Sequence, residues 1–264
     1  MEILPHYQFV DNLKKAFQEN PLFIGIAVGG SYLSNQLDEY SDLDIYLVVS
    51  DAAAILDFDA KKEILATVAN PLCCYTNGHD ARVIICLYQL ESALLHVDWK
   101  WLTLKEFEDR VENPAVIFEH KSALTAVIAR TESSYPKPDI ERTESRFWSW
   151  IHYVLSKIGR GELLEASDYL SEVRTCCVGP LLLHKNGLYP RRMRHAEDLP
   201  RAEWALLDKS IQKEFSKKAC FEATMGMIKL YQYIRKSYLW GNFQQLTEAE
   251  TACLAYADYI GAKL

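Results

Sequence analysis

The sequence predicts an α+β fold, in which an N-terminal mixed sheet with helices is followed by a C-terminal bundle of helices. Short apolar runs bounded by turn signals, which are typical of buried strands, are confined to the first half of the chain. Beyond residue 139 the apolar residues recur with helical spacing, as at Phe221, Met225 and Ile228. The polar, twice proline-punctuated stretch 131–138 separates the two patterns, so we expect domains at 1–130 and 139–264.

In the N-terminal half the first predicted element is a helix at 6–19, where Phe9, Leu13 and Phe17 are four residues apart. The continuous apolar run LFIGIAV predicts a buried strand, and Gly29-Gly30 ends it before a short helical turn at Ser31. The LFIGIAV strand spans 22–28. The other predicted elements are strands at 43–49, 82–88 and 94–102, a helix at 59–69, an Asn77-Gly78 turn, and a helix from Lys105.

The C-terminal half shows helical periodicity throughout and no strand pattern. Helices are predicted at 139–158, 162–184, 201–216, 218–238 and 246–262. Gly179-Pro180 should kink or end the second of them, because proline lacks the backbone N–H that a helix interior needs.

The composition is that of an ordinary globular protein, with 49% hydrophobic and 25% charged residues in 264. A net charge of −7 disfavours binding to extended nucleic acid, which requires clustered cations. The seven cysteines include no C-x-x-C pair, which predicts free thiols in a reducing cytosol. We find no signal-peptide pattern and no membrane-spanning run, so a cytoplasmic protein is expected; its oligomeric state stays open.

Two carboxylates stand at the start of the strand LDIYLVV. Side chains alternate along a strand, so Asp42, Asp44 and Tyr46 share one face, and the two aspartates lie roughly 6.5–7 Å apart at Cα. Both can reach one divalent ion, or a pair of ions about 3.5–4 Å apart, and oxygen ligands favour Mg²⁺. Asp98 shares a face of strand 94–102 with His96 and Lys100. If the two strands are neighbours, Asp98 is a third metal ligand or the base for an attacking hydroxyl.

The Gly29-Gly30-Ser31 turn is a candidate phosphate-binding element. Glycines allow backbone N–H groups to approach phosphate oxygens, and the serine hydroxyl adds a hydrogen bond. The sequence has neither a G-x-x-x-x-G-K-[ST] nor a G-x-G-x-x-G motif after a strand, which excludes a P-loop or a dinucleotide fingerprint.

Each feature also has a structural explanation. A Gly-Gly-Ser stretch after a strand is a common turn, an Asp-x-Asp at a strand start is often a solvated edge or a cap, and Asp98 could pair with a buried lysine or arginine. The combination of the turn, the eleven-residue step from Ser31 to Asp42 and the later Asp98 favours a functional site.

These residues carry a resemblance to a known family. Gly30-Ser31 followed by Ser41-Asp42-Leu43-Asp44 resembles the signature of the nucleotidyltransferase superfamily related to DNA polymerase β, in particular the bacterial enzymes that modify lincosamide and aminoglycoside antibiotics. LLHVDWKWLTLKEF resembles the third-carboxylate strand of aminoglycoside 6-adenylyltransferases. FWSWIHYVLSKIGRGE resembles the helix that opens their C-terminal domain.

The resemblance implies a nucleotidyltransferase-type sheet and roles for particular residues. Asp42 and Asp44 would bind Mg²⁺, with Asp98 as third ligand or base, and Gly29, Gly30, Ser31 and Lys157 would bind the nucleotide. The expected reaction is transfer of a nucleoside monophosphate, from ATP, to a hydroxyl of a small molecule such as an antibiotic. Many relatives carry a glycine or a basic residue shortly after the serine, where this chain has Tyr32 to Gln36. A protein-nucleotidylating, antitoxin-like enzyme and a decayed nucleotide-binding scaffold therefore stay open.

Three further groups have simpler explanations. The basic cluster of Arg191, Arg192, Arg194 and His195 could reach a nucleotide phosphate or an anionic acceptor. We expect it instead to be a solvated loop that pairs with Glu197 and Asp198. Most of the tryptophans Trp99, Trp101, Trp148 and Trp150 should be core residues, and His152 and His184 should be structural.

Overall fold

The structure is a computed structural model that describes residues 4–33, 37–51, 56–90, 93–237 and 243–264. The chain divides into two units, Met1–Tyr135 and Pro136–Leu264.

A mixed six-stranded sheet forms the centre of the first unit. Its strands are β1 (Phe23–Val28), β2 (Leu43–Val49), β3 (Cys73–Thr76), β4 (Val83–Gln89), β5 (Leu94–Thr103) and β6 (Ala115–Glu119), in the spatial order β3-β4-β5-β2-β1-β6. The β2–β5 pair is parallel, and the other neighbouring pairs are antiparallel. The helices of this unit are α1 (Pro5–Phe17), α2 (Phe58–Ala66) and α3 (Ala123–Arg130). The predicted fold class is confirmed.

Strand β2 is buried on both faces, and its alternation is the predicted one. Leu43 and Ile45 belong to the larger core, which also contains Phe9 and Leu13 of α1. Tyr46 belongs to a second, smaller core on the opposite face, beneath α3. Asp44 lies on the Tyr46 side, as the two-residue period of a strand requires.

Strands β3 and β6 and helix α3 are not among the predicted elements. Both strands lie at the edges of the sheet and are short, so neither shows the apolar alternation of a half-buried strand. The helix predicted from Lys105 is a three-residue 3-10 turn, Glu106–Glu108. The Glu106 carboxylate accepts hydrogen bonds from the backbone N–H (2.8 Å) and the hydroxyl of Thr103, which closes the chain into a local turn.

The described residues of the second unit form helices joined by turns and loops, with no strand among them. Its helices are α4 (Ile140–Arg160), α5 (Leu163–Val173), α6 (Gly179–Lys185), α7 (Arg201–Asp208), α8 (Lys217–Ser237) and α9 (Thr247–Gly261). The interruption predicted at Gly179-Pro180 is a π-helical turn at Arg174–Val178 that joins α5 to α6. Helix α7 ends earlier than predicted, because the chain turns at Lys209 to lie against Gly226, where a Cβ would be 2.1 Å from the Lys209 carbonyl oxygen.

A buried glutamate joins three helices of this unit. Glu144 of α4 accepts hydrogen bonds from the indole of Trp148 (3.2 Å), a guanidinium nitrogen of Arg235 (3.1 Å), the backbone N–H of Leu246 (2.9 Å) and the hydroxyl of Tyr231. Burial, together with the hydrogen bond to Glu144, raises the pKa of Tyr231. The Glu144 charge is therefore compensated inside the core, as a buried carboxylate requires.

Replacing Glu144 by alanine should lower the free energy of unfolding by about 3–5 kcal/mol, because Arg235 would be left buried without one of its carboxylate partners. Glu141→Ala removes an exposed glutamate from the same helix and should cost at most about 1 kcal/mol. Urea denaturation followed by tryptophan fluorescence measures both. Equal losses would contradict a structural role for the buried network.

Candidate active site

The glycine-serine turn lies beside the start of β2. Strands β1 and β2 are antiparallel, so the end of β1 at Val28 pairs with Ile45 near the start of β2. The backbone N–H of Gly29 donates to the Asp44 carbonyl at 2.9 Å. The turn and the first carboxylates therefore meet at one end of the interior strands β1 and β2.

Glycine is required at position 30. Its φ is +63°, which is left-handed backbone, and a Cβ there would lie 2.7 Å from a carboxylate oxygen of Asp44. Gly30–Tyr32 forms a 3-10 turn that includes Ser31. The residues Ser34, Asn35 and Gln36 of the atypical loop lie outside the described residues.

The parallel pairing of β2 with β5 brings two predicted site residues together. Asp44 lies opposite Asp98, and Tyr46 opposite Lys100. Neighbouring strands are about 4.8 Å apart, and paired residues point to the same face. Asp42 precedes β2 by one residue and is half-buried.

Lys100 neutralises Asp44. Its ammonium group is 3.2 Å from a carboxylate oxygen of Asp44, 3.2 Å from the Tyr46 hydroxyl and 4.4 Å from the centre of the Tyr46 ring. Burial lowers the pKa of Lys100, but the charge of Asp44 and the Tyr46 contact outweigh this, and the pKa is raised. Burial likewise raises the pKa of Tyr46, despite the opposing charge of Lys100.

Asp98 has a different partner. One of its carboxylate oxygens is 2.9 Å from Nε2 of His96, whose side chain is exposed. The pairing of a buried carboxylate with lysine, which the sequence suggests for Asp98, is thus found at Asp44.

Carboxylate oxygens are suitable ligands for a divalent cation, and Asp44 and Asp98 present them on the same face of the sheet. These carboxylates do not by themselves form a complete coordination shell. Among the described residues, no group of three or more His, Cys, Asp or Glu side chains is arranged to hold a metal ion. Mg²⁺ is commonly bound by one or two carboxylates, and water and substrate phosphates complete its shell. Asp42, Asp44 and Asp98 could therefore supply the protein part of such a site.

Glu112 is a further carboxylate at the site that the sequence analysis missed. Its Oε1 accepts a hydrogen bond of 2.7 Å from the backbone N–H of Gly30. A Cβ on Gly29 would lie 2.6 Å from the same oxygen, so the glycine makes room for the carboxylate. Glu112 stands in a loop without strand or helix periodicity, and no pattern in the sequence identifies it.

Buried Arg110 holds that loop in place. Its guanidinium donates to the side-chain oxygen of Asn113 (2.9 Å) and to the carbonyl of Thr131 (2.8 Å), just beyond α3. Glu112 therefore reaches the glycine turn from a loop that is anchored to the smaller core.

One predicted site residue belongs to the second unit. Lys157 on α4 pairs with Glu162 at 2.5 Å and lies over the ring of Tyr153, and the Glu162 hydrogen bond raises its pKa. Its role as a phosphate contact stays a prediction.

The expectation of a solvated loop paired with Glu197 and Asp198 is confirmed in part, since the basic cluster is exposed and its histidine is paired. His195 lies 3.6 Å from Asp198, whereas no ion pair with a described residue is found for the three arginines, which are exposed. Three of the four tryptophans are core residues, as predicted: Trp99, Trp101 and Trp148.

The N-terminal unit is similar in sequence to a known protein family. Residues 10–124 match the model of the nucleotidyltransferase domain. The matched range includes the glycine-serine turn, Asp42, Asp44, Asp98 and Glu112, and it supports a nucleotidyltransferase-type domain in this unit, with nucleotidyl transfer as its general activity.

Two other comparisons are less informative. No curated protein matches the sequence of the chain. A nucleotidyltransferase-like protein from Exiguobacterium sibiricum 255-15 is a similar solved structure, with 12% sequence identity, a TM-score of 0.44, and coverage of 88% of this chain and 76% of that chain.

Among the described residues, every helix is too short or too polar to cross a bilayer.

Replacing Lys100 by methionine should destabilise the metal-free protein, because it leaves the buried Asp44 charge without its cation. The lysine side chain is one-quarter exposed, so we expect a loss of about 2–3 kcal/mol, below the full effect of breaking a buried pair. Lys105→Met, which removes an exposed lysine of the same unit, should change stability by less than about 0.5 kcal/mol. Urea denaturation in the presence of a chelator distinguishes them, and an unchanged Lys100→Met midpoint would refute the pairing.

Proposed function

We propose that this protein transfers a nucleoside monophosphate from a nucleoside triphosphate, ATP, to a hydroxyl group of a small molecule, with release of pyrophosphate. The observation that carries the proposal is the register pair of Asp44 and Asp98 beside the Gly29–Ser31 turn. Carboxylates and a glycine turn at one end of the interior strands provide ligands for a cation and donors for phosphate oxygens.

Each residue has a defined part in the proposed reaction. The backbone N–H of Gly30 and the Ser31 hydroxyl would bind the triphosphate, and Gly29, which has no side chain, would allow its close approach. Asp42 and Asp44 would hold Mg²⁺. Bound Mg²⁺ offsets the negative charge of the reacting phosphates. Asp98 accepts the proton of the acceptor hydroxyl, while His96 orients the Asp98 carboxylate through their 2.9 Å contact. The protein thus contributes position and electrostatics, as phosphoryl transfer requires.

The charge of the N-terminal unit supports a need for metal. Residues 1–135 contain twice as many acidic as basic side chains. A triphosphate would be repelled by this unit unless cations lie between them. Lys100 is a basic group already at the site, and release from Asp44 would free its ammonium group to face a phosphate.

The choice of acceptor depends on the resemblance and on the charge of the chain. The resemblance to antibiotic-modifying enzymes and the acidic balance of the chain favour a cationic aminoglycoside or a lincosamide. Pyrophosphate release, measured with ATP, Mg²⁺ and a panel of both antibiotic classes, tests this choice. Modification of a protein instead of any panel member would favour the antitoxin-like alternative, and nucleotide binding without turnover would favour a decayed scaffold.

Asp44→Asn should reduce kcat/KM for transfer by about 10³-fold or more, because an amide cannot replace a charged metal ligand. The protein should stay folded, since asparagine keeps the size of the side chain and Lys100, which is one-quarter exposed, keeps its contact with the Tyr46 hydroxyl. Asp59→Asn changes the charge of the unit equally at an exposed position on α2 and should leave activity unchanged. An active Asp44→Asn enzyme would refute the metal-binding role.

Glu112→Gln should strengthen binding of Mg·ATP by about fivefold to tenfold, since the carboxylate and a phosphate oxygen compete for the Gly30 N–H and repel each other. Glu132→Gln makes the same charge change at an exposed position and should have little effect. Titration calorimetry gives both dissociation constants. Weaker binding by Glu112→Gln would show that the glutamate supports the nucleotide site rather than opposing it.

A further inference from the structure

Two cysteines face each other across the outer strands of the sheet. Cys74 of β3 is the register partner of Cys86 of β4. The backbone N–H of Asn77 donates to the Val83 carbonyl at 2.8 Å, so these two residues form a hydrogen-bonded pair. Such pairs alternate along an antiparallel ladder, which makes Cys74–Cys86, three positions further along, a non-hydrogen-bonded pair with Cα atoms about 4.5 Å apart. A disulfide spans Cα separations from about 4.4 to 6.8 Å.

The two side chains also share a face and an environment. Cys86 is fully buried in the larger core, and Cys74 is half-buried and packs against that core. The neighbouring Cys73 is exposed and, by strand alternation, points to the opposite face. The strand geometry therefore brings Cys74, and not Cys73, to Cys86.

The thiols differ in accessibility and reactivity. Burial is the main cause that raises the pKa of Cys86, and a hydrogen bond with the Cys74 side chain raises it further. A buried thiol that is difficult to ionise is a poor first target for an oxidant in solution. Cys74, at the sheet edge, is the accessible member, and Cys86 is placed to react with it afterwards.

We propose that Cys74 and Cys86 are a site of reversible disulfide modification, oxidised by small-molecule disulfides of the glutathione type. The Cys74 thiolate attacks one sulfur of oxidised glutathione, which forms a mixed disulfide and expels one molecule of glutathione. Cys86 then loses its proton and attacks the Cys74 sulfur, which closes the Cys74–Cys86 bond and expels the second glutathione. Two protein thiols are oxidised, the reagent is reduced to two thiols, and the two protons pass to the expelled thiolates.

Peptide mapping of the folded full-length protein tests the site. After incubation with oxidised glutathione, the protein is quenched in acid, its remaining thiols are alkylated, and it is digested with trypsin. Cleavage after Arg82 separates the peptides Glu63–Arg82 and Val83–Lys100. A disulfide between Cys74 and Cys86 keeps these two peptides linked until dithiothreitol is added.

Two matched variants locate the bond, because Cys73 lies in the same peptide as Cys74. The linked pair should form in the wild type and in Cys73→Ser, and it should be absent from Cys74→Ser. The inference is overturned if the wild type yields no linked pair, or if the link survives in Cys74→Ser and disappears in Cys73→Ser. The wild-type and Cys73→Ser maps decide the question even if Cys74→Ser does not fold.

Discussion

The Asp44 carboxylate lies buried near the start of a central strand, where a negative charge is costly unless a cation lies beside it. Lys100 supplies that cation from the neighbouring parallel strand, at 3.2 Å, and Tyr46 contacts the same ammonium group. The proposed function requires Mg²⁺ to take over this role when nucleotide binds. In the proposed function, one buried charge with two alternative partners would link the stability of the sheet to the chemistry at the start of β2.

At the glycine turn, too, a group of the site is satisfied by a side chain of the protein, but here the group is a hydrogen-bond donor and its partner is negatively charged. Gly30 presents a backbone N–H that a phosphate oxygen could accept, and Glu112 accepts it at 2.7 Å in this structure. In both places the protein satisfies a group at the site with a side chain of its own: an ammonium group for the carboxylate and a carboxylate for the amide. A nucleotide with its metal carries both kinds of charge, so its binding would exchange two internal contacts for two external ones.

The sequence was sufficient for the fold class and for the face on which Asp44 lies, because burial imposes a two-residue period on β2 and a helical period on the second unit. It could not give the pairing of Asp44 with Lys100, which depends on the register of two strands more than fifty residues apart. It also missed Glu112, which stands in a loop without periodicity, and the short edge strands β3 and β6, where exposure weakens the apolar pattern. Elements with a buried apolar face could thus be predicted from the sequence. The charged contacts of the site could not, because they depend on the pairing of residues far apart in the chain.

A crystal structure with Mg²⁺ and a non-hydrolysable ATP analogue would test the exchange of partners at Asp44 most directly. The account predicts a metal ion about 2.0–2.1 Å from oxygens of both Asp42 and Asp44, phosphate oxygens on the Gly29–Ser31 turn, and a Lys100 ammonium group no longer within hydrogen-bond distance of Asp44. A nucleotide bound away from the turn, with Lys100 still paired to Asp44, would contradict it.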